Sequence, residues 1–200
     1  MEKEEGYSEK YDEALRVATV AHRCQTRKGS GLPYVIHPIH VSVILLRHGF
    51  SMETAVAGLL HDVVEDQDYD LAQIGAQFGA RVAEMVAALS ERKSDAEGVK
   101  RPWGVRKREA LQQIRRASRE AVAVKCADTL HNAHSFVQDL RCEGAQIWQH
   151  FNRGPQSQLS YYRQILHVAE DRLGAHPLVT ELAGAVAQLA RVIDETGGGE

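Results

Sequence analysis

Along almost the whole of this 200-residue chain apolar residues recur at intervals of three and four, and no comparable stretch alternates at every second residue. Ala14, Val17, Ala18 and Ala21 form one such stripe, and Ile74, Phe78, Val82 and Met85 another. That spacing gathers apolar side chains on one face of a helix, so the pattern predicts an all-α fold. The segments Ser8 to Arg27, Pro38 to Gly49, Ser51 to Asp66, Asp70 to Glu91, Val105 to Ser118, Arg119 to Gly144, Pro155 to Leu173 and Pro177 to Glu195 read as helices. Pro38 in a first turn, Gly49 ahead of a Ser51 cap, and Gly144 and Gly174 after helical runs punctuate them. Short joins and the length imply a single-domain bundle of about eight to ten helices with one core. Lys28 to Pro33 and Lys93 to Gly104 are the longer irregular stretches, where a ligand would meet loop backbone. A tail from 196 to 200 is expected to be disordered.

The most informative run is Ala57 to Asp66, AGLLHDVVED. Read as one continuous helix, it stacks His61 over Glu65 and Asp62 over Asp66, with Leu59, Leu60, Val63 and Val64 as the apolar flank. Like charges at that spacing repel by about 0.2–0.5 kcal/mol per exposed pair and by more when desolvated, so burial would require a compensating cation. From these residues alone the stripe reads equally well as the solvated face of an amphipathic helix. Two other segments bear on the choice. His37 lies in apolar PYVIHP beside Pro38, and Asp128 follows the apolar start of VAVKCADTLHN. Either residue alone is more often a core or capping group than a ligand, but their occurrence together with His61-Asp62 favours a metal site.

The order His, His-Asp, Asp resembles the ligand order of the HD phosphohydrolase superfamily. More narrowly, AHRCQTRKGSGLPYVIHP, AGLLHDVVED, IGAQFGARVAEMV and VKCADTLHNAH, together spanning about residues 21 to 138, resemble the hydrolase domain of RelA/SpoT homologues, particularly the stand-alone small alarmone hydrolases. The resemblance implies that His37, His61, Asp62 and Asp128 bind one divalent cation, usually Mn2+ in this family, with Fe2+, Co2+ or Zn2+ as alternatives. It also implies that Glu65 and Asp66 are catalytic carboxylates and that Arg27, Lys28 and Asn132 contact the nucleotide or its phosphates. Imidazole and carboxylate donors suit such ions, and four protein ligands leave positions for water and a phosphate oxygen. The implied reaction is hydrolysis of the 3′-pyrophosphate of guanosine tetra- or pentaphosphate, or of the adenosine equivalents, releasing pyrophosphate.

Departures from the family pattern fall outside these ligands. Gln67 stands where many members have Thr, Thr129 where many carry a basic residue, and the loop before Pro33 is about one residue longer than the commonest bacterial pattern. They bear on which nucleotide is held more than on the reaction. Two rival readings follow: a phosphohydrolase acting on a deoxynucleotide or the 2′-phosphate of NADPH, and a noncatalytic nucleotide- or RNA-binding helical protein that uses the basic stretch Lys100 to Arg119. Nothing matches a synthetase domain, so an alarmone would only be degraded.

A pyrophosphate leaving group needs cations around it. Arg27, Lys28, Lys107 and Lys100 are available; Arg106, Arg108, Arg115, Arg116 and Arg119 are expected on a solvated face, so only Lys107 of that cluster is assigned to the site. A net charge of -3 supplies no global field for nucleic acid. Cys24, Cys126 and Cys142 are odd in number and widely spaced, which suits a reducing compartment, and the cytoplasm is expected. No run approaches 18 apolar residues, and the acidic start MEKEEGYSEKYDE is unlike a secretion signal. The expected partner is a small nucleotide, with no nucleic acid and no membrane; the oligomeric state is left open, a homo-oligomer included. His22 reads as either a structural hydrogen-bonding group or a substrate contact, and His131 and His134 as surface or supporting groups. Cys24 and Cys126 are assigned no chemistry. With 6% aromatic residues the core should be mainly aliphatic, and Trp148, Phe151, Tyr161 and Tyr162 read as its aromatic members.

Overall fold

In the computed structural model, which describes residues 8–28, 30–66, 69–95, 97–150 and 154–196 without the side chains at 65, 66, 145, 149 and 150, helices follow one another throughout. They are α1 (Glu9–Ala21), α2 (Ile36–Arg47), α3 (Met52–Leu60), α4 (Val63–Asp66), α5 (Leu71–Phe78), α6 (Ala80–Leu89), α7 (Trp103–Arg116), α8 (Arg119–Glu143), α9 (Pro155–Leu173) and α10 (Pro177–Glu195), with a 3-10 segment over Gly144–His150. Among the described residues no strand forms, and the only β contacts are the isolated bridges Thr26 to Pro33 and Ser94 to Lys100. Both bridges lie in the stretches expected to be irregular. Phe151 and the tail from 197 fall outside the described residues.

Three expected helices are interrupted or shortened, each for a local reason. The first stops at Ala21 rather than Arg27: the backbone turns back on itself, Arg27 N–H donating to the Leu32 carbonyl at 2.8 Å and Tyr34 N–H to the Gln25 carbonyl at 2.8 Å. The segment Ser51 to Asp66 breaks at His61 and Asp62. There the His61 ring, through Nδ1, takes the Gly58 carbonyl at 2.8 Å, the acceptor that an unbroken helix would offer to the Asp62 N–H. The continuous stripe of His61 over Glu65 is therefore replaced by a turn between α3 and α4. Asp70 to Glu91 is divided at Gly79, whose φ of +100° suits a residue without a Cβ.

α8 is the central element. It packs against α2, α3, α9 and α10, and it buries Val122, Val124, Leu130, Phe136 and Leu140 around most of its circumference. A helix apolar on most sides is stable only when enclosed. Ser118 caps it by accepting from the Ala121 N–H at 3.2 Å. α3 is enclosed too, with every residue from Thr54 to Leu60 buried. A Cβ at Gly58 would stand 2.8 Å from Leu45 Cδ1 and 3.3 Å from Val41 Cγ1. Glycine at this position lets α2 and α3 approach closely, which brings the His37 and His61 rings to a centroid separation of 5.2 Å. Tyr161 and Tyr162 are buried on α9, and Trp148 stacks on Phe136 with ring centroids 5.4 Å apart.

Candidate metal centre and its adjoining cavities

Three helical segments distant in sequence deliver the polar groups to one buried point. His37 comes from the first turn of α2, His61 and Asp62 from the break between α3 and α4, and Asp128 from the middle of α8. His37 is 1% exposed, His61 4% and Asp128 7%. One donor atom from each of these three lies within 4.8 Å of the others. His37 Nε2 is 3.2 Å from Asp128 Oδ1 and 3.7 Å from Asp62 Oδ2, while His61 Nε2 is 3.1 Å from Asp62 Oδ2 and 3.9 Å from Asp128 Oδ1. Ligands about 2.1 Å from a shared cation stand roughly 3.0–3.5 Å from one another, so the spacing suits an ion.

The donor set also suits one. His61 Nε2 is buried and makes no hydrogen bond, although its other nitrogen is held by the Gly58 carbonyl. Burial pushes the His61 imidazole down, but the Asp62 and Asp128 carboxylates outweigh it and lift it to about 9. Burial lifts Asp62 and Asp128, yet the neighbouring His61 holds the first below the usual carboxylate range, and Lys125 above all holds the second well below it. His37 is depressed by its own burial. In the absence of an ion the cluster thus retains a proton on His61 between two carboxylates, and a divalent cation can take its place. The buried His37, His61 and Asp128 group fits a divalent metal in its donor chemistry, spacing and enclosure.

Supporting contacts orient the carboxylates. Tyr34 Oη donates to Asp62 Oδ2 at 2.6 Å, Asn132 Nδ2 donates to Asp128 Oδ1 at 2.6 Å, and Lys125 Nζ lies 2.8 Å from Asp128 Oδ2. Lys125, Asp128 and Asn132 are three and four residues apart on α8 and therefore share a face. Arg27 crosses from its loop to donate to Asn132 Oδ1 at 2.9 Å and lies over the Tyr34 ring.

Two cavities adjoin the cluster. A polar chamber of about 140 Å³ is lined by Tyr34, His37, Asp62, Lys107, Lys125 and Asp128 together with α9 residues Gln158, Tyr161 and Tyr162. A wider cavity of about 400 Å³ shares Tyr34, Asp62, Asn132, Gln158 and Tyr162 with it and extends past Arg27, Lys28, Lys93 and Phe136. Of the residues expected at the site, His37, His61, Asp62, Asp128, Arg27, Lys28, Lys107 and Asn132 are gathered here. The Glu65 and Asp66 carboxylates lie outside the described residues.

Lys107 enters the chamber in an ion pair with Glu91, whose side chain is 5% exposed, and Arg106 meets the same carboxylate at 3.2 Å. Arg108, Arg115, Arg116 and Arg119 are exposed, and Lys100 is exposed in its loop. His22 makes the structural bond, Nδ1 to Gln25 Oε1 at 2.7 Å, and is buried. His134 is exposed, whereas His131 contacts His37 directly at 2.8 Å. Tyr34, Lys125, Gln158 and the chamber-lining role of Tyr161 and Tyr162 were not expected. Tyr34 and Lys125 were within reach, each three residues before a ligand candidate; Gln158 and the tyrosines arrive from a helix that carries no motif.

A family model described as an HD domain matches residues 14–156. A guanosine-3′,5′-bis(diphosphate) 3′-pyrophosphohydrolase of Vibrio cholerae is 34% identical over 183 residues, which is 85% of this chain and 23% of that protein. The protein of the same activity name called MESH1 in Danio rerio is 37% identical over 134 residues, 65% of this chain and 69% of that one. The chain accordingly spans under a quarter of the long bacterial relative and about two thirds of the animal one. A solved structure described as a metazoan ortholog of SpoT that hydrolyzes ppGpp is similar with a TM-score of 0.68 at 27% identity, covering 96% of this chain and 98% of that one. A Listeria monocytogenes crystal structure gives a TM-score of 0.67 at 34% identity, covering 80% and 96%. The family model covers well over half of the sequence, including every helix that supplies a group to the buried cluster, and the chain belongs to the HD domain family.

Proposed function

We propose that this protein is a manganese-dependent hydrolase of alarmone nucleotides, removing the 3′-pyrophosphate of guanosine tetra- or pentaphosphate or of the adenosine equivalents. The observation that carries the reading is the convergence of buried His37, His61 and Asp128, with Asp62 3.7 and 3.1 Å from the two rings, beside a nucleotide-sized cavity, in a chain whose similar proteins bear 3′-pyrophosphohydrolase names. These four residues would hold the ion, which when bound polarises a phosphoryl oxygen and acidifies a coordinated water.

The remaining work falls to side chains. Arg27, Lys28 and Asn132 border the wider cavity and are assigned to the nucleotide and its phosphates, with Tyr34 at the junction of the two cavities. Lys107 and Lys125 face the small chamber and meet the charge that develops on the departing pyrophosphate. Glu65 and Asp66 follow the His-Asp pair directly in sequence, and the proposal gives them the orientation of the attacking water and the transfer of its proton. A small nucleotide in the cytoplasm is the partner this reading requires. Incubation with each nucleotide and MnCl2, while orthophosphate, pyrophosphate and triphosphate release are all followed, tests it directly. Pyrophosphate from an alarmone, with no orthophosphate from NADPH and no phosphate species from deoxynucleotides, is the expected result, and no turnover of any alarmone would overturn the substrate.

A further inference from the structure

We propose that His131, backed by His40, is a positioning residue that fixes the tautomer and direction of His37, so that ion affinity depends on a line of three imidazoles running from the buried cluster to the surface. The inference rests on the reading of His37 as an ion ligand and is independent of which nucleotide is hydrolysed.

The line is continuous. His37 Nδ1 lies 2.8 Å from His131 Nδ1, and His131 Nε2 lies 2.7 Å from His40 Nδ1. The ring pairs are inclined at 44° and 63°, so they meet through their nitrogens rather than face to face. His37 is buried, His131 is partly buried and His40 is exposed. The helices explain the alignment: His37 and His40 are three residues apart on α2, and His131 follows Asp128 by three on α8, which packs against α2.

A neutral imidazole carries one N–H and one lone pair. When His37 Nε2, which faces Asp62 and Asp128, gives its lone pair to an ion, its proton must sit on Nδ1 and be donated to His131 Nδ1. His131 then carries its own proton on Nε2 and donates it to His40 Nδ1, leaving the His40 N–H directed to solvent. One choice at the ion sets three tautomers in series. A metal-bound histidine usually donates its outer N–H to a carboxylate, a carbonyl or water; here the acceptor is an imidazole that must itself be held, and His40 supplies that hold.

The test is ion affinity, measured by calorimetric titration of metal-stripped protein with Mn2+ or Zn2+. His131→Leu removes the acceptor and is expected to weaken binding by about 10–100-fold. His131→Asn places a side-chain oxygen near the position of Nδ1 and is expected to retain most of the affinity, a rescue that a merely space-filling role would not produce. His40→Ala, at the surface and safe for folding, is expected to weaken binding by about three- to tenfold, and that effect should vanish when His131 is already Leu. In Zn2+-loaded wild type, long-range proton–nitrogen spectra should show Nδ1 of both His131 and His40 without a proton. Equal affinity of wild type and both His131→Leu and His40→Ala would overturn the inference, as would an Asn variant no better than Leu. A wild type that takes up no ion would overturn it together with the ion reading itself.

Discussion

Replacing Asp128 by Ala separates the two tasks its carboxylate performs. Oδ1 faces the His37 and His61 rings at 3.2 and 3.9 Å, where an ion would sit, and Oδ2 lies 2.8 Å from the Lys125 ammonium. The Asp128 and Lys125 side chains are 9% and 16% exposed, so water screens the pair little and the variant strands a buried charge. Stranding one member of such a pair costs about 3–5 kcal/mol, and at this chain length each kcal/mol moves Tm by roughly 2–4 °C. The ion-free variant should therefore melt on the order of 10 °C below ion-free wild type. Saturation with ion at about 100 times Kd adds roughly 2.7 kcal/mol to wild type, and Asp128→Ala should gain almost none of it. Adding Lys125→Met to Asp128→Ala removes the stranded charge, so most of the ion-free stability should return while the ion response stays lost. Differential scanning fluorimetry with and without MnCl2, beside metal analysis of the purified proteins, reads both effects. An Asp128→Ala protein that keeps near-stoichiometric metal, or shifts with MnCl2 as wild type does, would refute the placement of Asp128 around the ion.

Further outcomes follow from the same geometry. In ion-free protein His61 is lifted from 6.5 to about 9, so its contribution to stability is complete below pH 6.5 and is lost as the pH rises through 9. Melting temperature of the stripped protein should fall across that window, and apparent ion affinity should rise by up to about tenfold per pH unit as the competing proton leaves; titrations at both ends check this. Tyr34→Phe removes the 2.6 Å bond to Asp62 and should weaken ion binding by about tenfold in calorimetry, with the fold intact by circular dichroism. Gly79→Ala meets open space but must adopt a φ of +100°, so urea denaturation should show a loss of about 1–3 kcal/mol from backbone strain alone. Arg27→Ala takes a cation from the wider cavity, and steady-state kinetics on the accepted nucleotide should show KM raised by at least about tenfold, with kcat less affected.

How much of this could be read in advance depends on the range of the interaction concerned. Helix type is local, and the three-and-four spacing found α8, α9 and α10 to within a residue or so because no neighbour had to be known. Breaks escape that reading. Periodicity runs straight through His61, where a side chain competes for a backbone carbonyl, and through Gly79, where only the dihedral angles reveal that one helix has ended and another begun. The candidate ligands were legible only as a set whose order resembles a family, since each alone is an ordinary polar residue. The contributions of α9 to the chamber were not legible at all, because Gln158 and Tyr161 come to line it beside Asp128 and Lys107 through tertiary packing that no local pattern encodes.

Of the stripe that could have been a solvated helix face, His61 is only 4% exposed, and it is buried beside His37 and Asp128, at 1% and 7%. Burial of that kind favours a metal site over a solvated face. α8 states the same point in one dimension: Lys125, Asp128 and Asn132 form its polar face, while Val122, Val124, Leu130 and Val137 seal it elsewhere. That polar face looks into the internal chamber rather than bulk solvent, the Lys125 and Asp128 side chains being 16% and 9% exposed, so its charges must compensate one another. Lys125 offsets one carboxylate. The second, Asp62, is offset in the ion-free protein by the proton that His61 holds 3.1 Å away, and a cation seated among the two rings and two carboxylates would take over that charge.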